Sequence, residues 1–265
     1  MKITVILSLI SVIIALSGCS SVPETGRRQL IMVSAGDEAK MGLASFEDIK
    51  KQEKISIDAK ANAQVQRVGQ RIAGAVGRDL PNAQWEFVVF DSEQVNAFAL
   101  PGGKVGVYTG LLKLVASDDE LACVMGHEIA HVTSRHGAER VSQNMLASGV
   151  SSVGALAMDY YNVAPATRDG VMALYGAGVQ VGALLPFSRL HETEADTIGL
   201  KFAAGAGYDP RAAAAFWKKM AAKNSGGSTP TWMSTHPSDE SRIANLEKLA
   251  PQYMPAYENA RKAYQ

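Results

Sequence analysis

The residues most able to do chemistry are His127-Glu128-Ile129-Ala130-His131, an H-E-x-x-H pattern. On a helix, residues four apart differ by about 40° in direction, so both imidazoles face the same way. Two ring nitrogens can then reach one zinc ion at about 2.0–2.1 Å. Glu128 is turned about 100° from His127, so it can address a water on the metal without being a ligand. The flanking Leu121, Val124, Met125, Ile129 and Val132 mark a core helix rather than an exposed, charged one. The chemistry open to such a group is metal-assisted hydrolysis, with a carboxylate moving the proton.

Two histidines do not complete a catalytic zinc site, which usually takes three protein ligands and a water. His136 is close in sequence but lies about 140° around a continuous helix from His131. The stretch 188–196, SRLHETEAD, offers better donors. Glu192 and Asp196 share a helical face, and Glu194 points nearly opposite Glu192. One carboxylate can bind metal while the other orients a ligand histidine through its free N–H.

Together, HEIAH and SRxxExEAD resemble the zinc metallopeptidase family that includes HtpX, the CAAX prenyl proteases and the BepA-type periplasmic peptidases. The resemblance covers about residues 24–250 and takes in TGRRQLIMVS, NAFALPGGKVGVYTGLL and STHPSDESRI. It implies a mainly helical, zincin-like α+β fold of the gluzincin type, with a small β-sheet beside the H-E-x-x-H helix. It implies one Zn2+ per chain on His127, His131 and Glu192, with Glu128 as base and Asp196 supporting a ligand histidine. His236 and Arg242 resemble the family's late His and Arg, catalytic residues that bind substrate or stabilise the oxyanion. In BepA-like members that late histidine also approaches the zinc in a closed form. The expected branch is the BepA-like periplasmic lipoproteins, here without tetratricopeptide repeats.

These residues need elements to position them. Residues 36–56 read as a polar helix, and 60–76 as an amphipathic one with Val65, Val68, Ile72 and Val76 on one side. Strands are expected at 85–90, 96–100 and 104–108, the last two around Pro101-Gly102-Gly103. The strand at Asn96, Ala97 and Phe98 is expected to pair with an extended substrate, because a strand edge bonds backbone without regard to side chains. Ser117 and Glu120 form a capping box for a helix running through Gly137. Further helices are expected on HETEADTIGLKFAAGAG, from Asp209-Pro210, and from Ser238 or Asp239 to about Ala250. Residues 146–158 and 170–187 are rich in Gly, Ala, Val and Leu. They read as core or cavity-lining helices rather than membrane spans, and their place between the two metal motifs makes them a candidate lid.

The 265 residues are 47% hydrophobic and 20% charged, which fits a globular protein, and formal charge is zero, without the basic excess that nucleic acid binding shows. Residues 3–16 are an apolar run too short to span a membrane comfortably. Leu16-Ser17-Gly18-Cys19 resembles a bacterial lipoprotein signal, giving a signal peptide at 1–18, a tether from lipidated Cys19 to residue 35, and a metallopeptidase domain at 36–265. Ser20 in place of Asp favours the periplasmic face of the outer membrane. Cys123, the other of two cysteines, has no expected partner and reads as a buried packing residue. The expected function is metalloendopeptidase action on misfolded envelope polypeptides, from a lipid anchor in the membrane. The alternative is an outer-membrane assembly or chaperone-like factor with latent protease activity, working with the assembly machinery.

Overall fold

The computed structural model describes residues 19–147, 185–224, 232, 236 and 240–264. The expected signal segment 1–18 and most of the candidate lid lie outside the described residues. The chain divides into two compact units, residues 1–34 with 135–190, and residues 35–134 with 191–265.

In the first unit, β1 (Cys19–Ser21) pairs antiparallel with β2 (Arg28–Leu30). The stretch expected as a tether therefore carries a two-stranded ribbon. Arg27 donates a forked pair of bonds to Glu139, at 2.9 and 2.7 Å. Glu139 sits on a helix at 136–147 and is buried. Met32 N–H donates to Ser142 Oγ at 2.8 Å, and Arg135 donates to the Val33 carbonyl at 2.7 Å.

The second unit opens with α1 (Ala35–Gln52) and α2 (Ala59–Val76). Asp58 caps α2, its Oδ1 accepting from the N–H groups of Lys60 and Ala61 at 2.8 and 3.2 Å. Gly77 ends it at φ 50°, a conformation glycine takes without penalty. Val65, Val68, Ile72 and Val76 are buried, as their spacing predicts. A three-stranded sheet follows in the order β3 (Glu86–Phe90), β5 (Lys104–Tyr108), β4 (Ala97–Leu100). The β3–β5 pair is parallel and the β4–β5 pair antiparallel. Phe46 of α1 packs against Phe90, Tyr108 and Phe98 on one face. Phe87, of opposite parity, meets α2 at Gly69 on the other.

β4 has β5 on one side only, among the described residues. Tyr108 N–H donates to the Asn96 carbonyl at 3.1 Å. Pairing alternates along an antiparallel ladder, so Asn96 and Phe98 turn their backbone groups toward β5, while Ala97 and Ala99 turn theirs outward. Of the three residues expected to meet a substrate, only Ala97 presents its backbone to the open edge.

A helix of one turn at Thr109–Leu112 leads to α3 (Asp118–Thr133). Ser117 Oγ accepts from Glu120 N–H at 3.3 Å, as a capping box requires. The Glu120 carboxylate reaches one residue further back than the box predicts, to Ala116 N–H at 2.7 Å. α3 also stops earlier than expected. Arg135 takes φ 56°, a left-handed conformation that cannot continue the helix. His136 therefore lies past the end of the metal helix, and its angle around that helix is not defined.

α4 (Leu185–Gly205) carries the acidic motif, followed by α5 (Ala212–Asn224) and α6 (Glu240–Arg261). α5 begins two residues later than expected, because Asp209 accepts from Arg211 N–H in a turn of its own, at 2.9 Å. α6 runs on past Ala250 through Pro251 and Pro255, which sequence rules treat as stops. Among the described residues no helix is long and apolar enough to cross a membrane.

α3 and α4 touch backbone to backbone. A Cβ on Gly199 would lie 2.9 Å from the His127 nitrogen, and one on Gly126 would lie 2.9 Å from the Gly199 carbonyl oxygen. Gly199→Ala should therefore destabilise the protein by about 1–3 kcal/mol, read by thermal unfolding, and lower its metal content. Gly74→Ala, where a Cβ meets nothing within 4 Å, should leave the melting temperature unchanged or raise it.

Candidate metal centre

Every residue of the site belongs to the second unit. α3 contributes His127 and His131 from one helical face, with Glu128 turned about 100° from His127. α4 contributes Glu192 and Asp196, four residues apart. His131 Nε2 is 3.1 Å from His127 Nε2. The Glu192 carboxylate lies 3.3 Å from each of those nitrogens. His236 Nδ1 completes the group, 3.2 Å from His127 Nε2 and 3.1 Å from both Glu192 oxygens. Ligand atoms around a tetrahedral zinc are separated by about 3.3 Å, given bonds near 2.0–2.1 Å. The separations about His127 and Glu192 are near that value, and one donor atom from each of the four residues lies within 4.8 Å of the others. They form a metal-competent cluster among the described residues.

Asp196 Oδ1 lies 3.0 Å from His127 Nδ1, a contact that orients the ring so that Nε2 faces the cluster. Arg242 is placed differently from expectation. Its Nε and Nη2 donate to the two Asp196 oxygens at 2.6 and 2.7 Å, and its Nη1 lies 2.8 Å from Glu192 Oε2. With a carboxylate at each nitrogen and only 6% of the residue exposed, it braces the ligands from behind rather than offering donors to a substrate oxyanion. His236 is the more accessible of the two, its side chain 12% exposed.

The charges show what the cluster lacks. Burial alone would lower the His127 pKa, yet hydrogen bonds that its ring donates to Asp196 and Glu192 overcome it and raise the value to about 9. Burial would likewise raise Glu192, but contacts with His127, His131 and His236 hold it far below the usual carboxylate range. Asp196, also pushed up by burial, ends lowered by the Arg242 charge. Three buried carboxylates, Glu128, Glu192 and Asp196, face one buried guanidinium. The site draws in positive charge, and a divalent cation on these donors supplies it. The donor set, two imidazoles and a carboxylate, suits zinc.

Two residues that sequence reasoning missed complete the surroundings. Trp232 donates its indole N–H to Glu128 Oε1 at 2.6 Å. It stacks on Trp217 at 4.7 Å with 20° between the planes. Its sequence setting held a signal, since one bulky aromatic in SGGSTPTW has no reason to be there unless a pocket receives it. Cys123 is buried as expected, and burial pushes its thiol pKa up, so it has no nucleophilic character at neutral pH.

A helix-borne H-E-x-x-H, a carboxylate from a second helix and a small sheet beside them define a zincin-like metallopeptidase domain. Residues 59–250 match Peptidase family M48, and the chain belongs to that family. It is similar to "Mitochondrial metalloendopeptidase OMA1" of Schizosaccharomyces pombe, 34% identical over 87% of this chain and 66% of the relative. A second OMA1, from Arabidopsis thaliana, is 40% identical over 64% of this chain and 32% of the relative. The "Beta-barrel assembly-enhancing protease" of Escherichia coli is 29% identical over 89% of this chain and 48% of the relative. The chain thus spans from a third to two thirds of the length of these relatives.

Removing Glu192 takes away a ligand, and removing Asp196 loosens one. Glu192→Ala should abolish stoichiometric metal, and Asp196→Ala should weaken metal affinity about 10- to 100-fold, measured by chelator competition on folded protein.

Proposed function

We propose that this protein is a zinc-dependent metalloendopeptidase acting on misfolded polypeptides of the bacterial envelope. The observation that carries the reading is the convergence of His127, His131 and Glu192 with the buried carboxylate of Glu128 beside them. His127, His131 and Glu192 would hold zinc, which would supply a Lewis acid for the scissile carbonyl and for the hydrolytic water, whose pKa it would lower toward 7. Glu128 takes the proton from that water and delivers it to the leaving amine. His236 offers a hydrogen bond to the developing oxyanion. The outward backbone groups of Ala97 and Ala99 align an extended substrate along β4. Recognition through backbone suits an enzyme that meets unfolded segments of many sequences.

The N-terminal Leu16-Ser17-Gly18-Cys19 supports a lipid anchor at the periplasmic face of the outer membrane. It also favours the BepA-like branch over the OMA1-like one. The name of the E. coli relative adds a second reading, in which the protein aids outer-membrane β-barrel assembly and its protease is latent. One observation supports latency: His236 Nδ1 stands at the fourth corner of the cluster, where the hydrolytic water must bind.

Glu128→Gln should retain zinc while losing casein cleavage by about 10²- to 10⁴-fold; full activity in that variant would sink the mechanism. If it nevertheless rescued a deletion strain, the assembly reading would replace the peptidase one. Cys19→Ser should abolish lipid labelling and release the protein from membranes into the soluble periplasmic fraction. A variant still bound to membranes would remove the anchor from the account.

A further inference from the structure

We propose that Trp232 is a positioning residue for the catalytic base, its indole N–H holding one oxygen of Glu128 so that the other addresses the hydrolytic water. The proposal rests on the metallopeptidase reading, in which Glu128 is that base. Glu128 is 4% exposed, and a buried carboxylate keeps one orientation only where a donor holds it. At 2.6 Å, the Trp232 Nε1 to Glu128 Oε1 contact has the length of a charge-assisted bond. An indole is a donor and never an acceptor. It can therefore orient the carboxylate without taking part in proton exchange.

Several contacts show that this indole is a fixed post. Trp232 is 1% exposed. Its ring stacks on Trp217, and Phe216 closes an edge at 5.5 Å. The Arg242 guanidinium lies 3.8 Å from the Trp217 ring, so the residue that braces Glu192 and Asp196 also supports the stack. The backbone N–H of Trp232 donates to the Val95 carbonyl at 3.1 Å, just ahead of β4. By the alternation of the ladder, that carbonyl faces the same outer edge as Ala97 and Ala99. One residue therefore ties together the base, the edge offered to substrate and the arginine behind the ligands. His236, whose N–H donates to the Trp232 carbonyl at 2.9 Å, hangs from this post. Relief of latency moves the His236 ring and leaves Trp232 in place.

The test uses the full chain, zinc-free and zinc-loaded. The three tryptophans give three indole N–H signals in proton–nitrogen correlation spectra. Trp232→Phe identifies the Trp232 signal by its loss, and Glu128→Gln should move that signal well beyond the other two in both metal states. Trp232→Phe keeps a ring in the stack, removes the donor and leaves a small void. It should lower kcat about 10- to 100-fold while KM and zinc content stay within about twofold. A set of indole signals unmoved by Glu128→Gln overturns the contact. A kcat at or above wild type overturns the role, and a rise would make Trp232 a latch on the base instead. Should Trp232→Phe fail to fold, the response of the wild-type indole signals to Glu128→Gln still decides. The spectra do not depend on peptidase activity, so an inactive wild-type protein would count against the metallopeptidase reading and not against this contact.

Discussion

The site depends on one balance of charge. Asp196 and Glu192 are buried side by side on α4, and each would cost several kcal/mol if left without a counter-charge. Arg242 meets Asp196 with two hydrogen bonds and Glu192 with one. A single guanidinium cannot also neutralise Glu128, and the deficit appears at His127, whose pKa is raised against its own burial. A cation at the Nε2 atoms answers the same demand. Folding and metal binding therefore draw on the same charge balance.

Geometry is settled by a second constraint. His127, Glu128 and His131 come from α3, while Glu192 and Asp196 come from α4. Their relative depth is fixed where Gly126 meets Gly199, next to His127. With no side chain between the helices, the imidazoles and the Glu192 carboxylate come within 3.3 Å of each other. A methyl group there would add a spacer at the point where ligand separation is set. Helix contact, not loop conformation, holds the ligands, as a precise metal site requires.

The convergence of His127, His131 and Glu192 was legible in the sequence in part, because helical spacing converts directly into direction. His127 with His131 and Glu192 with Asp196 each share a face for that reason. The strands and α2 were legible through parity and apolar spacing, as Val65, Val68, Ile72 and Val76 illustrate. The end of α3 was not, because the left-handed turn at Arg135 falls on a residue type that carries no turn signal. Nor was the length of α6, where tertiary packing at Leu246 and Ala250 outweighs the prolines that follow. Trp232 was missed because its partner Glu128 is 104 residues away, and no local pattern encodes such a pairing.

Magnitudes decide which part of the Trp232–His236 turn can move. An indole buries about 150–250 Å², worth about 4–6 kcal/mol at ~25 cal/mol per Å². Its bond to a buried carboxylate adds about 1.5–3 kcal/mol. Removing Trp232 from its slot would therefore cost a large part of the 5–15 kcal/mol stability typical of a folded protein. His236 has a partly exposed ring, and its Nδ1 contacts are with His127 and Glu192, groups of the metal-competent cluster, while its Nε2 lies 3.5 Å from Glu128 Oε1. On the proposed peptidase reading, water and a substrate carbonyl would compete for that same corner of the cluster, so rotation of this ring would exchange one set of contacts for another. A latent and an active form would then differ by one imidazole swinging from an anchored tryptophan, with Glu128 held in place throughout.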